Sequence, residues 1–433
     1  MRKHNFSSRL GLALVLIFFR LLPAVGAAPL LNDDAELLKT IQKDTLQYFL
    51  KRSDKNTGLT RDSSQSGSPA SIAATGFSLA AIAIGQSHGW IPEDWSRDYL
   101  KKTLKTLLHR AEQHKGFFYH FLDARSGKRV WMSEVSSIDT ALLVAGALVA
   151  AQYFPGTEIE KMAWDIYRRV DWPWMMNGRK LICMGWTPET GFLPYYWDMY
   201  NEHLILQALA LGSPTHPVGQ EAWKAWARHE DVYNDKKIVY SYSGSLFTYQ
   251  FPQAFIDFRG LKDNAIDYFE NSRKASLANR EYSLSFRSQH KGYSENSWGL
   301  SASLGPGGYK AYGGKPGAGL QDGTLAPHAV IASIVFTPEE SLAAIRFFYR
   351  NYAKNLYGYF GFKSAFNLDK KWWAEEYLGI DQGISVLMLE NFLNDGAVWK
   401  KFMALEPIKR WIQLCGLTSG KNPGNENNII PAS

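Results

Sequence analysis

Apolar positions recur along this chain with a helical period, and they do so in two styles. Some segments are apolar nearly all round: Ser71–Gly85, Ser137–Gln152, the stretch from Asp198 to Leu211, Leu325–Ile334 and Ile380–Asn394. Others carry one apolar stripe and one charged face: Asp34–Leu50, Trp95–Gln113, Glu158–Val170, His216–Arg228, Asp263–Glu281 and Pro338–Leu356, with a short final pair around Lys400–Leu414. A helix that is apolar on every side must be covered on every side, whereas a striped helix covers a neighbour and turns its other face to water. About twelve segments alternating in this way predict an inner ring of helices wrapped by an outer one, an all-α (α/α)6 barrel. Strand-like stretches are few: Gly116–Leu122 with Val130–Trp131, and Ile238–Tyr242. Short β-hairpins are therefore expected only in the loops.

The chain has 433 residues and is 45% hydrophobic, enough to bury a large core. No Pro/Ser/Gly-rich linker divides it, so residues 29–415 are expected to form one domain. Residues 1–28 have the pattern of a secretory signal: Arg2 and Lys3, the apolar run Leu10–Phe19, and the small residues Val25-Gly26-Ala27. Arg20 interrupts a run already too short to span a bilayer, so a periplasmic or secreted protein with no stable membrane insertion after cleavage is expected. The Asn/Gly-rich tail, residues 416–433, is expected to be disordered.

Composition narrows the chemistry. Cys183 and Cys415 can pair in an oxidising compartment, but two cysteines are no disulfide scaffold. No Cys/His cluster has zinc spacing and no loop matches an EF-hand, so neither metal nor cofactor is expected. The net charge of +7 includes four basic residues of the signal (Arg2, Lys3, Arg9, Arg20), and no block of five like charges occurs, which speaks against nucleic acid. Aromatic residues make up 14% of the chain, with 15 Trp and 22 Tyr, a content that suits carbohydrate contact. Oligomeric state is not legible.

The richest segment is residues 195–217. Asp198 and Glu202 stand four apart before an apolar run to Leu211, surrounded by Tyr195, Tyr196, Trp197 and Tyr200, with Gly212 and Pro214 as stop signals. On a helix, residues four apart share a face. A carboxyl group kept neutral by burial among rings is what glycosidic bond cleavage needs as its proton donor. The ordinary alternative is a first-turn acid complementing the helix dipole, with Asp198 as N-cap. The pattern repeats, however. Asp139 follows Glu134, Ser136 and Ser137 at the start of a buried helix; Asp381 follows Trp372, Trp373, Glu375, Glu376 and Tyr377; Asp322 precedes another. One such acid is capping, whereas several point to acids converging on a common cavity. Trp197, Trp298, Tyr309 and Tyr312 are candidate stacking rings, and Arg259 and Gln382 candidate hydroxyl-binding groups. Asp198, Glu295 and Asp322 complete the candidate substrate contacts. Asp257 and Arg259 also suit a structural ion pair. Gly-x-Ser-x-Gly and phosphate-binding loops are absent, and His203 and His216 are not spaced as metal ligands.

At these residues the chain resembles the glycoamylase-like family of bacterial proteins, whose characterised members include β-1,2-glucan-degrading enzymes. The matching pieces are Ser-Ser-Ile-Asp139-Thr, Tyr-Asn-Glu202, Ala-Leu-Gly-Ser-Pro-Thr-His-Pro, Leu246-Phe-Thr-Tyr-Gln-Phe, Asp257-Phe-Arg-Gly, Tyr268-Phe-Glu-Asn-Ser-Arg, Tyr293-Ser-Glu-Asn-Ser-Trp-Gly-Leu, Gly307-Gly-Tyr-Lys-Ala-Tyr-Gly, Asp322-Gly-Thr and Leu378-Gly-Ile-Asp381-Gln-Gly. They run in order over about residues 34–415. The resemblance implies an (α/α)6 barrel and an inverting glycoside hydrolase with Glu202 at the scissile bond and Asp139 and Asp381 near it. One departure stands out: Tyr249 occupies a place where a smaller residue or His is expected.

The expectation is thus an exported, inverting β-glucanase, with β-1,2-glucan the favoured substrate and endo action the favoured mode. Glu202 would protonate the leaving oxygen, and Asp139 or Asp381 would activate water, the two groups roughly 6.5–9.5 Å apart. Exo-acting or transglycosylating action, a non-catalytic glycan-binding protein and a polysaccharide lyase are the competing readings.

Overall fold

The computed structural model describes residues 32–315, 317 and 319–419. The expected signal, residues 1–28, lies outside the described residues. In chain order the helices are α1 (Asn32–Arg52), α2 (Ile72–Ser87), α3 (Glu93–His109), α4 (Ser137–Tyr153), α5 (Glu158–Arg169), α6 (Trp172–Met175), α7 (Leu204–Gly212), α8 (Glu221–Ala225), α9 (Phe247–Phe255), α10 (Tyr268–Ser285), α11 (Pro327–Ala332), α12 (Pro338–Leu356), α13 (Gly379–Leu393), α14 (Ala397–Met403) and α15 (Glu406–Cys415).

The inner ring is α2, α4, α7, α9, α11 and α13, each packed on the next and α13 closing onto α2. α2 is buried without a break from Ile72 to Gly85, and α7 from Leu204 to Gly212, as the all-round apolar pattern requires. Glycines set the spacing. A Cβ on Gly146 would lie 1.9 Å from the Gly76 carbonyl oxygen, so α2 and α4 cross at backbone contact; a Cβ on Gly383 would meet the Phe77 ring at 2.2 Å, where α13 meets α2. The outer layer is amphipathic: α1 covers α13, α5 covers α4, and α12 covers α11. Elsewhere in the ring, polar side chains bridge between helices. Tyr167 donates to the Leu209 carbonyl at 2.7 Å and Asn391 to the Ala254 carbonyl at 2.9 Å.

Several expected boundaries move. The chain from Asp198 to His203 is not helical; α7 begins at Leu204. The segment expected as His216–Arg228 yields only α8, and α15 packs on α7, with a Cβ at Gly212 meeting the Pro407 carbonyl at 2.2 Å. α9 was hidden by Pro252, which sits inside it. Strands are two to four residues long and confined to loops. Phe117–Phe118 pairs with Gln113–His114, and Lys236–Val239 with Glu230–Tyr233. In the tail expected to be disordered, Thr418–Ser419 pairs with Leu261–Lys262, while residues 420–433 lie outside the described residues. The two thiols are free; Cys183 is buried against backbone carbonyls.

Candidate active site

The N-terminal ends of the inner helices gather at one rim. Asp62, in the loop before α2, accepts a backbone hydrogen bond from Gly379 at the start of α13 (2.7 Å). Trp197, before α7, donates its indole N–H to the Ser137 hydroxyl at the start of α4 (2.9 Å). His328, in the first turn of α11, stands 3.4 Å from Asp381 in the first turn of α13. Carboxylates here face the positive ends of helix dipoles.

Asp139 occupies the third position of α4. Ser136 is the N-cap: its hydroxyl oxygen accepts from the Asp139 N–H (3.2 Å), and its O–H donates to Asp139 Oδ2 (2.5 Å). Asp139 Oδ1 faces His120 Nε2 at 3.7 Å, and the other ring nitrogen of His120 meets Glu134 Oε1 at 3.0 Å. Burial alone would lower the His120 pKa, but Asp139, Glu134 and Asp62 overcome it and carry it up to about 9. The imidazole is therefore an imidazolium at neutral pH. Glu134 responds in kind: burial pushes its pKa up, but the bond to His120 wins and lowers it.

Glu202 has the opposite surroundings. It lies in the turn before α7, only 9% exposed, and its Oε2 has no hydrogen-bond partner among the described residues. Burial is the main force raising its pKa to about 8; the charge on Asp139 adds to that, and a backbone hydrogen bond opposes it. At neutral pH this carboxyl carries a proton and lacks a protein acceptor for it. Its neighbour His203 is fully buried, and burial drops its pKa to about 3, so it stays neutral.

Asp381 is 2% exposed; its Oδ2 accepts from Ser364 at 2.8 Å beside His328. Tyr309, on the hairpin of residues 302–311, joins the acids into one site. Burial, then the charges of Asp381, Asp62, Glu202 and Asp139, raise the pKa of its hydroxyl. Its ring is nonetheless 54% exposed, so the side chain reaches across a water-filled hollow whose walls are protein. Asp62 belongs here as well: burial pushes its pKa up to about 6, His120 opposing and Asp139 and Asp381 adding to the rise.

The remaining sequence candidates divide. Gln382 follows Asp381 but points its amide N–H₂ at the Phe362 carbonyl (3.0 Å). Trp197 is enclosed, with its ring against His203. The structure corrects the stacking assignment for Trp298 and Tyr312, which are 0% and 1% exposed and pack in the core. Asp322 caps its own loop through Thr324 (3.1 and 2.6 Å) and Tyr312. Arg259 forms a two-bond pair with Asp257 (2.8 Å each) under the Trp399 ring, which is the structural role. Asp198 and Glu295 are exposed, each on a separate surface groove that contains none of the four acids. Tyr249 is core, its hydroxyl accepting from the Ser241 N–H (3.0 Å), so it lines no part of the hollow. Asp62, His120, His328 and Ser364 were missed. Asp62 stands ten residues before its helix, and His120 lies in a short aromatic strand, so neither shows the acid-then-helix signature.

Comparison with known proteins agrees with this architecture. A glycoamylase family model, described as "Putative glucoamylase", matches residues 194–406. An exo β-1,2-glucooligosaccharide sophorohydrolase (non-reducing end) of Parabacteroides distasonis is 28% identical over 420 residues; the match takes in 88% of this chain and 58% of that protein's length. Among solved structures, an endo-β-1,2-glucanase of Chitinophaga pinensis, in complex with sophorotriose and glucose, superposes with a TM-score of 0.84 at 27% identity, covering 89% of this chain and 99% of that one. A Bacteroides uniformis structure with the same glucoamylase description gives a TM-score of 0.84 at 30% identity, covering 89% of this chain and 98% of that one. By the ordered motifs, the helical toroid and these matches, the chain belongs to the glycoamylase-like family.

Proposed function

We propose that this chain hydrolyses β-1,2-linked glucan by single displacement with inversion. The observation that carries the proposal is the contrast between Glu202, buried, unpartnered and protonated to about pH 8, and the hydrogen-bonded acids Asp139 and Asp381 around the same hollow. Glu202 is the general acid, giving its proton to the leaving glycosidic oxygen. Asp139 is the carboxylate whose charge helps keep Glu202 protonated. Asp381 is the general base. Its charge does not add to the rise at Glu202, in keeping with the roughly 6.5–9.5 Å that an intervening water requires, and Ser364 fixes one oxygen while the other stays free to take the proton from water. The linkage is supported by the names of the two β-1,2-glucan relatives. Endo action is supported by the near end-to-end match to the C. pinensis endoglucanase, whereas the sophorohydrolase has additional length that this chain does not match. Export through residues 1–28 is part of the proposal.

The test is product analysis on purified β-1,2-glucan. A ladder of oligosaccharides is expected; accumulation of one disaccharide from the first time point would contradict endo action, and no cleavage of any glucan would contradict the activity.

A further inference from the structure

Between the strand holding His120 and the start of α4, the chain makes a tight turn, residues 130–133, closed by the Ser133 N–H on the Val130 carbonyl (3.1 Å). Both corner residues are left-handed, Trp131 at φ 59° and Met132 at φ 51°. Such corners ordinarily take Asn-Gly, because a Cβ in this region costs energy. Here they take two large apolar side chains, and both are 69% exposed. The turn is held open deliberately: Arg129 donates to the Ser133 carbonyl (2.5 Å) and the Met132 carbonyl (2.6 Å), and its guanidinium is braced by Glu189 (2.7 Å). Neither backbone strain nor exposure of a Trp helps folding, so the gain lies in what the ring contacts.

The position of the ring indicates what that is. Trp131 packs 5.1 Å from the Phe121 ring, Phe121 stacks 4.0 Å from His120, and His120 faces Asp139. A continuous ladder of rings thus leads from the acid-lined hollow to an outward-facing indole. We propose that Trp131, with Met132 beside it, is an outer sugar-stacking subsite for a glucan chain leaving the hollow. The proposal rests on the glucanase reading for its ligand, but not on cleavage itself.

Trp131→Asn suits the left-handed corner, so it is expected to fold and to melt at or above the parent's temperature. Its KM on long β-1,2-glucan should rise about tenfold with kcat within about twofold, and its KM on the shortest cleaved oligosaccharide should stay within about twofold. Equal KM values for parent and variant at every chain length overturn the subsite. Binding is read separately by electrophoresis in gels containing β-1,2-glucan, on a Glu202→Gln background. Retardation lost with Trp131→Asn supports the subsite and equal retardation contradicts it. Absence of cleavage by the parent contradicts the activity alone.

Discussion

His120 Nε2 stands 3.7 Å from Asp139 Oδ1 while Glu134 holds the other face of the ring at 3.0 Å. The imidazolium is thus pinned between two carboxylates and orients the one that faces Glu202. Replacing His120 by Gln should lower kcat about ten- to a hundredfold with KM nearly unchanged, the cost of a charge-assisted contact on a positioned group. Steady-state kinetics on β-1,2-glucan check this; a change in KM alone would place His120 in substrate binding.

Glu202→Gln keeps the volume and removes the proton. It should lower kcat by about a hundred- to ten-thousandfold, the range of a general acid. Circular dichroism and melting should show a folded protein, and residual activity near the parent's would remove Glu202 from the mechanism.

The pH dependence follows from the same group. Activity needs Glu202 protonated, so the alkaline limb of kcat/KM should fall near pH 8, where burial has carried its pKa. Asp139→Asn removes a charge that raises this pKa, so the limb should move to lower pH. Stability changes in the same window. Glu202, raised from 4.5 to about 8, and His120, raised from 6.5 to about 9, both bind more protons folded than unfolded. Stability therefore declines as pH rises through these intervals and levels off above them. Melting temperatures of parent and Glu202→Gln between pH 5 and 9 check this, the variant having the shallower decline.

Gly146→Ala places a methyl into the Gly76 carbonyl where α2 crosses α4. The two helices must separate, at a cost of about 1–3 kcal/mol or more. A clear drop in melting temperature is expected, while an unchanged one would show that the crossing can relax.

Arg259→Ala separates the two roles its sequence allowed. It breaks the pair with Asp257 and the contact with Trp399. Melting temperature should fall while KM and kcat on glucan hold within about twofold, since partly exposed pairs contribute little beyond stability. A selective rise in KM would restore Arg259 to the substrate.

The toroid was legible because burial on all sides leaves a distinct mark: α2, α4 and α13 read apolar on every face. The convergence of acids was legible for the same reason, since Asp139 and Asp381 stand in the first turn of such helices. What sequence could not reveal was where side chains point. Asp198 shares a segment with Glu202 yet turns to solvent, because the chain is not helical there and the i, i+4 rule does not apply. Trp298 and Tyr312 look like loop aromatics but fill the core. Asp62 and His120 reach the hollow from a loop and a two-residue strand, which have no periodicity to mark them.

The central claim is inversion with Glu202 as acid. Parent protein incubated with β-1,2-glucan and followed by proton NMR should release first-formed α-anomeric reducing ends, with the β-anomer appearing later by mutarotation. β-anomeric ends formed first would contradict the account.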